Sequence, residues 1–388
     1  MSQPSITDVK PAHFPKLDAA WQRVRLLVRV DELWLAGFAA LVGVVAGAGG
    51  AAMNGVTHTL HRLLFNLPAG QGLSDAPSVE TARLLAVPVL GGLVLGLGAW
   101  LVAKFRPKGI IDPVEANALY GGRMSLRDSV IVAVQTVWSN GIGGSVGLEA
   151  GYAQLGAGLA SWGGAKLRLR RSDLRLLVGC GAAAAIGGAF SAPLCGVFYG
   201  VELILANYSL ATLPFIIIAA LAGTLVTGQL HSGSAPLNVA LPQVLPLSAY
   251  PMAILVGISA GMVAIAIMRG VTAIEAGFRR SKMPLWLRPV VGGLLLGPLG
   301  MVSPATLSSG HAALHAQIGL SLPLLTALVL FLGKAVASSI SIGAGFRGGL
   351  FFASLFLGTL FGKLFADVAL VVPAVSYTHL TLPTKRIV

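Results

Sequence analysis

Eight apolar stretches divide the chain, at about residues 34–65, 82–103, 128–163, 176–228, 248–278, 285–302, 322–342 and 349–372, with polar or basic connections between them. A helix needs about 20 apolar residues to cross a bilayer, so the pattern predicts membrane-spanning helices. Several stretches are too long or too interrupted to be single straight spans. The stretch 128–163 carries Gly141, Gly143, Gly144, Gly147 and Gly151 in its middle, and 176–228 is interrupted by Pro193 and by Asn207-Tyr208-Ser209. Such breaks predict half-helices meeting at membrane depth, where irregular backbone must be buried in protein or line a cavity. Elsewhere, Gly43, Gly47 and Gly50, and Gly292, Gly293 and Gly297, recur at spacings that let helices approach closely.

Composition agrees with the pattern. Of 388 residues, 55% are hydrophobic and only 11% charged, against about 25% charged in soluble domains, and the mean hydropathy is +0.82. The expected fold class is therefore an all-α polytopic membrane protein. The net charge of +13 changes the picture only through its placement. Basic residues cluster at Lys10 to Arg29, Lys104 to Arg127, Lys166 to Arg175 and Arg279 to Arg288. That is the distribution of cytoplasmic connections under the positive-inside rule, not of a nucleic-acid face. The charge-poor connections 66–79, 229–247 and 303–321 fit the opposite, outer side. Residues 1–31 read as a cytoplasmic segment, with Leu17 to Leu33 as a helix at the membrane surface. Trp138, Trp162 and Trp286 suit interfacial belts, and Cys180 and Cys195 read as packing residues in apolar helices. The glycines at 47–50 lie inside an apolar helix, so they do not form a dinucleotide fingerprint. The sequence contains no P-loop, no HExxH and no nucleophile–His–acid arrangement. This excludes a recognisable enzyme or ATP motor and predicts no cofactor.

The candidate chemistry sits in the breaks. In Gly143-Gly144-Ser145-Val146-Gly147-Leu148-Glu149-Ala150-Gly151-Tyr152-Ala153-Gln154, an acid stands in a glycine-rich, apolar setting. An ionisable group in a membrane is costly and marks function by default. The glycines expose backbone N–H groups just before a helix start, and a helix N-terminus attracts anions. A carboxylate held there can occupy an anion's place and leave it when protonated or displaced, which makes Glu149 a candidate gate. A second break, Lys108-Gly109-Ile110-Ile111-Asp112-Pro113-Val114-Glu115, carries Asp and Pro as a helix-start signal. A third, Gly343-Ala344-Gly345-Phe346-Arg347-Gly348-Gly349-Leu350-Phe351-Phe352-Ala353-Ser354, again precedes an apolar helix. Three such helix starts aimed at one point would form a dehydrated anion site from main-chain dipoles. Lys334 and Arg347 are single cations in apolar surroundings, and either snorkelling or a positive potential along the path would suit them. His311 and His315 have the i, i+4 spacing of a zinc pair but no third ligand nearby in sequence, and they read as a solvated pair with no metal.

On these residues the chain resembles the CLC family of chloride channels and proton–chloride antiporters. The family's Gly-Arg-Glu-Gly-Pro motif matches Gly147-Leu148-Glu149-Ala150-Gly151, with Gln154 following. Its Gly-Ser-Gly-Ile-Pro matches Gly109-Ile110-Ile111-Asp112-Pro113, and its Gly-Ile-Phe-Ala-Pro matches Gly349-Leu350-Phe351-Phe352-Ala353. Further matches are Ala189 to Leu194 with Gly196 and Glu202, and Ser303 to Thr306 followed by Ser308-Ser309-Gly310. The resemblance, over roughly residues 30–372, implies an inverted-repeat bundle of broken, re-entrant helices meeting mid-membrane, and a homodimer when the chain is full length. It implies transport of chloride or a similar small anion across a bacterial inner membrane. Glu149 would be the gate, and the anion would be bound at Gly109, Ile110, Ile111, Asp112, Gly147, Leu148, Gly349, Leu350 and Phe351.

The departures from the family pattern shape the expected mechanism. The family serine at the central anion falls on Ile110, which leaves a fluoride-selective member as an alternative. The inner proton-transfer glutamate found in many antiporters of the family falls on Leu203. By resemblance this favours a channel over a proton-coupled antiporter. A membrane-embedded enzyme using Glu149 as an acid would need a second polar catalytic group. Residues 376–388 are polar and aperiodic and read as a non-native tail after a transmembrane domain over 32–375. The second repeat would then be incomplete and would lack the family's anion-binding tyrosine. Within it, the counterpart of Glu149 is expected near Phe351.

Overall fold

Helices begin where capping residues and prolines permit them. Asp112 accepts the Glu115 N–H at 2.8 Å ahead of Pro113, and Ser125 accepts the Asp128 N–H at 3.3 Å. Both are side-chain oxygens satisfying amides that a helix start leaves unpaired. The structure, a computed structural model, describes residues 32–371 apart from 69, 107–108, 231–249, 319 and 321. These residues form thirteen α-helices. In order they are α1 (Glu32–Phe65), α2 (Thr81–Phe105), α3 (Pro113–Leu119), α4 (Leu126–Gly141), α5 (Glu149–Lys166), α6 (Arg171–Phe190) and α7 (Pro193–Phe198). A π-helical continuation, Tyr199–Leu205, leads to α8 (Leu213–Leu230), α9 (Tyr250–Arg280) and α10 (Arg288–Val302). A 3-10 turn at Pro304–Thr306 precedes α11 (His311–Gln317), α12 (Leu324–Gly343) and α13 (Phe351–Val371). Among the described residues, β pairing is limited to one antiparallel bridge between Gly147 and Gly349.

Among the described residues, seven helices are long and apolar enough to cross a membrane: α1, α2, α6, α8, α9, α12 and α13. The broken stretches resolve as their breakers predict. The stretch 128–163 becomes α4 and α5 on either side of a glycine-rich turn, and 176–228 becomes α6, α7 with its π-helical continuation, and α8. The N-terminal segment 1–31, positions 231–247 of the outer connection, Lys108 and the tail 376–388 lie outside the described residues.

Two large apolar clusters and a smaller one hold the bundle together. The first surrounds α6, whose Ala182, Ala183 and Ala184 are fully enclosed by α1, α5 and α8. Small residues make this possible. A Cβ on Gly43 or Gly47 would stand 2.3 Å or 2.4 Å from the carbonyl oxygens of Ala219 and Gly223 on α8. The second cluster joins the ends of α1 and α2 to α10, α12 and the α4–α5 turn, around Phe65, Leu73, Ile142, Leu296 and Phe346. The third joins α11, α12 and α13 through Leu314, Leu330, Phe356 and Leu360.

Two sequence expectations change. Trp138 packs against the second cluster and donates its indole N–H to the Gly91 carbonyl at 3.0 Å, so it is an internal anchor and not a belt residue. Trp162 stays 47% exposed, as a belt residue would be. Lys334 does not snorkel. It is fully buried and donates to the Ser308 carbonyl at 2.7 Å and to the Thr306 and Leu307 carbonyls at 3.4 Å each. The cation thus clamps the turn before α11, because a buried ammonium must find acceptors.

Candidate functional site

The first and third glycine-rich breaks meet. Gly147 donates its N–H to the Gly349 carbonyl at 2.8 Å, and Gly349 returns one to Gly147 at 3.2 Å. The pairing brings the first turns of α5 and α13 together. Glu149, the first residue of α5, is 5% exposed and uses its carboxylate across the junction: Oε1 accepts the Phe352 N–H of α13 at 2.5 Å. The other oxygen, Oε2, is buried without a hydrogen-bond partner. A carboxylate therefore sits where the free amides of α13 present partial positive charge. It is held by one hydrogen bond and leaves one oxygen unsatisfied, so it is anchored without being locked.

Both bridging glycines leave room for the carboxylate in this position. A Cβ on Gly147 would lie 2.1–2.4 Å from its carboxyl atoms, and one on Gly349 would lie 2.7 Å from Oε2. Aromatic rings close the other side. Phe190 stacks on Phe352 with ring centroids 4.2 Å apart and meets Phe351 edge-on at 4.8 Å.

The second break reaches the same neighbourhood through Gln154, whose side-chain amide donates to the Ile111 carbonyl at 3.0 Å. Gly109 and Ile110 line a cavity of about 590 Å³ together with Gly345, Arg347 and Gly348 of the third break. Asp112 uses Oδ1 to cap α3, and the residue is otherwise exposed. The side chains of Leu148 and Leu350 point elsewhere. Leu148 is buried in the first apolar cluster, and Leu350 lines a separate apolar cavity of about 200 Å³ against α9. The structure thus draws the three breaks towards one region, joined by the Gly147–Gly349 bridge, the Glu149 and Gln154 side chains and a common cavity.

A polar scaffold that the sequence reading missed supports the junction. Ser139 accepts the Arg347 N–H, and Ser341 accepts the Ser145 N–H, each at 2.9 Å. The Ser145 and Ser338 hydroxyls pair at 3.0 Å. Asn140 donates to the Val146 carbonyl at 2.6 Å and accepts from Ser308 at 3.0 Å, while the His61 ring meets the Asn140 carbonyl at 3.0 Å. The density of small hydroxyls in Ser338-Ser339-Ile340-Ser341 was the available signal. Arg347 also reaches Gln135 at 3.3 Å from the wall of the 590 Å³ cavity. Glu202 is bonded by the Tyr208 hydroxyl, and its neighbour Leu203 is 52% exposed.

The chain is similar to known proteins in sequence and in fold. The family model described as voltage gated chloride channel matches residues 91–382. A protein of Ralstonia nicotianae described as a ClcB-like chloride channel protein is 30% identical over 335 residues, 84% of this chain and 78% of the relative. The voltage-gated ClC-type chloride channel ClcB of Citrobacter koseri is 30% identical over 333 residues, 84% of this chain and 79% of its own. Among solved structures, a slow cyanobacterial Cl⁻/H⁺ antiporter superposes with a TM-score of 0.72 at 22% identity, covering 87% of this chain and 80% of that one. A CLC-type fluoride/proton antiporter superposes at 0.67 and 23% identity, covering 87% and 84%.

Proposed function

This chain belongs to the voltage gated chloride channel (CLC) family of anion-transporting membrane proteins, and from that premise we propose that it passes chloride through a channel-like pathway gated by Glu149. It is a multi-pass membrane protein and not an enzyme. One observation carries the gate. The Glu149 carboxylate is bonded to the Phe352 amide at the N-terminus of α13, across a main-chain bridge. A negative group in that position competes with any anion that the same amides attract, and protonation weakens its hold. The amides of Gly147, Leu148, Gly349, Leu350 and Phe351, with those of Gly109 to Asp112, are the proposed anion contacts. The proposed setting is a bacterial inner membrane, with two copies associated, in keeping with the bacterial relatives and the basic connections.

Leu203 supports the channel form, because it cannot carry a proton. The proton-coupled antiporter is the second reading, supported by the two solved structures named above, and the second of them raises fluoride as the carried anion. The deciding experiment is flux from vesicles with chloride, then fluoride, and a pH indicator. Glu149→Gln should lose most of the acid activation of chloride flux, and a chloride gradient should drive little proton movement. Unchanged pH dependence between pH 4 and 8 would remove Glu149 as the gate. A reproducible stoichiometric proton flux would replace the channel with the antiporter.

A further inference from the structure

A second cavity, of about 640 Å³, opens between α1, the 66–79 connection and α11, and its wall carries His58, Arg62, Asp75, His311 and His315. Both connections are the ones whose low charge assigns them to the outer side. His311 and His315 were expected to form a solvated pair, and the structure half-buries both at the wall of this cavity. The His311 ring meets His315 at 4.6 Å and, edge-on, Phe352 at 4.8 Å, the residue whose amide holds Glu149. The Nδ1 atom of His311 and the Oδ1 atom of Asp75 are both buried without a hydrogen-bond partner. His58 and Asp75 both face Gly72, where a Cβ would stand 3.9 Å and 3.2 Å from them. Once protonated, the His311 Nδ1 is a buried donor without an acceptor, which an anion can supply; the Asp75 oxygen is itself an acceptor and calls for a donor instead.

The charge balance indicates what such a ligand would be. With neutral histidines, Arg62 and Asp75 cancel. Each proton taken up by His58, His311 or His315 leaves the wall one unit more positive. Among the described residues, no group of three ligating side chains is arranged to hold a metal ion. We propose that this cavity is a further binding site for a small inorganic anion of chloride's class, loaded together with protons on His311, His315 and His58. The inference relies on the anion-transport reading only for the kind of anion.

Burial and the charges of His315 and His58 hold His311 down, at about 4, and burial lowers His315 as well. The other charged groups on the wall that His311 shares are Arg62 of α1 and Asp75, and His61 lies a step further off, its ring 6.3 Å from that of His58. Behind His311 lie Lys334 of α12, against Gly310, Glu149 beyond the Phe352 ring, and Lys363 of α13 on the last carbonyls of α11. An anion in the cavity counters both causes that depress His311, since it supplies a counter-charge and relieves histidine repulsion. Acid should therefore strengthen anion binding, and by reciprocity the anion should raise the histidine midpoints.

The test is an NMR titration of ¹⁵N-histidine in the full chain in lipid nanodiscs, in chloride and in gluconate. It is run on Glu149→Gln so that the gate does not contribute. Signals are assigned by their loss in His311→Gln and in His315→Gln. Chloride should raise the midpoints of His311 and His315 by about half a unit or more, in line with coupling energies between linked sites. Arg62→Gln, at an exposed position, should at least halve that shift. Midpoints that are equal in the two salts would overturn the site. So would a response to Zn²⁺ without one to chloride, which would make it a metal site. A chloride-induced shift in a protein that transports nothing would count against the transport reading alone. Transport with salt-independent histidines would count against this cavity alone.

Discussion

The two breaks that meet at Gly147 and Gly349 are built alike and equipped differently. Each helix ends at a glycine, Gly141 in one and Gly343 in the other, and the chain then turns at a glycine with positive φ, Gly143 at 90° and Gly345 at 93°. Gly144 donates to the Ser139 carbonyl at 2.9 Å, and Phe346 to the Ser341 carbonyl at 3.0 Å. Four residues past each turning glycine comes the bridging one, and two residues later a helix begins, at Glu149 and at Phe351. Even the crossed hydrogen bonds are reciprocal, since Ser139 serves the second break and Ser341 serves the first. A constant sequence offset therefore relates the two segments as copies in a local two-fold arrangement, and Phe351 is the counterpart of Glu149. The chemistry is not duplicated. Only one copy carries an acid, and that acid uses the helix start of the other. The backbone supplies two equivalent anion-attracting ends, and a single side chain makes them unequal.

The largest expected effect comes from disturbing the ground that both copies share. Gly147→Ala places a Cβ within 2.1–2.4 Å of the Glu149 carboxyl, which must then swing off the Phe352 amide, and losing that charged hydrogen bond costs about 1.5–3 kcal/mol. Gly358→Ala on α13, where a Cβ would meet nothing within 4 Å, should stay within about 0.5 kcal/mol of the parent. Thermal unfolding in detergent compares them. Equal melting of the two variants would mean that the carboxylate is not seated at the bridge. Next in size is Lys334→Met, which removes the donor to three buried carbonyls beneath the second copy. The loss should be about 1–3 kcal/mol, read from the same melts, and a neutral result would show that water satisfies that turn. The smallest effect tests the symmetry itself. Ser139→Ala and Ser341→Ala should each cost about 1 kcal/mol, and they should do so equally. A large inequality would show that one copy supports the other and not the reverse.

Much of this was legible beforehand, because glycine breaks and helix starts are local signals. Pro113, Glu149 and Phe351 open helices where the motifs put them, and Phe351 is where the counterpart of Glu149 was expected. The direction of the Glu149 side chain was not legible. Capping rules relate an acid to amides a few residues ahead in its own helix, whereas this one bonds an amide more than two hundred residues away. Lys334 was ambiguous for a similar reason. Its acceptors are carbonyls freed by the Pro304–Thr306 turn, and no side-chain pattern announces them. His311 looked solvated because an i, i+4 pair describes one helix face, while its burial comes from Phe352 on another element.

The bridge between Gly147 and Gly349 also bears on how far this sequence can drift. It is made wholly of main-chain atoms, so the residues beside each glycine contribute nothing to its hydrogen bonds. Leu148 and Ala150 stand where the family motif has arginine and a second glycine, and the helix nevertheless starts on Glu149 with its carboxylate on the Phe352 amide. The geometry at this junction therefore ties down two glycines and one acid and leaves their neighbours freer. A search for distant relatives should weight those three positions above the rest of the motif, because the junction survives substitutions that erase the motif from view.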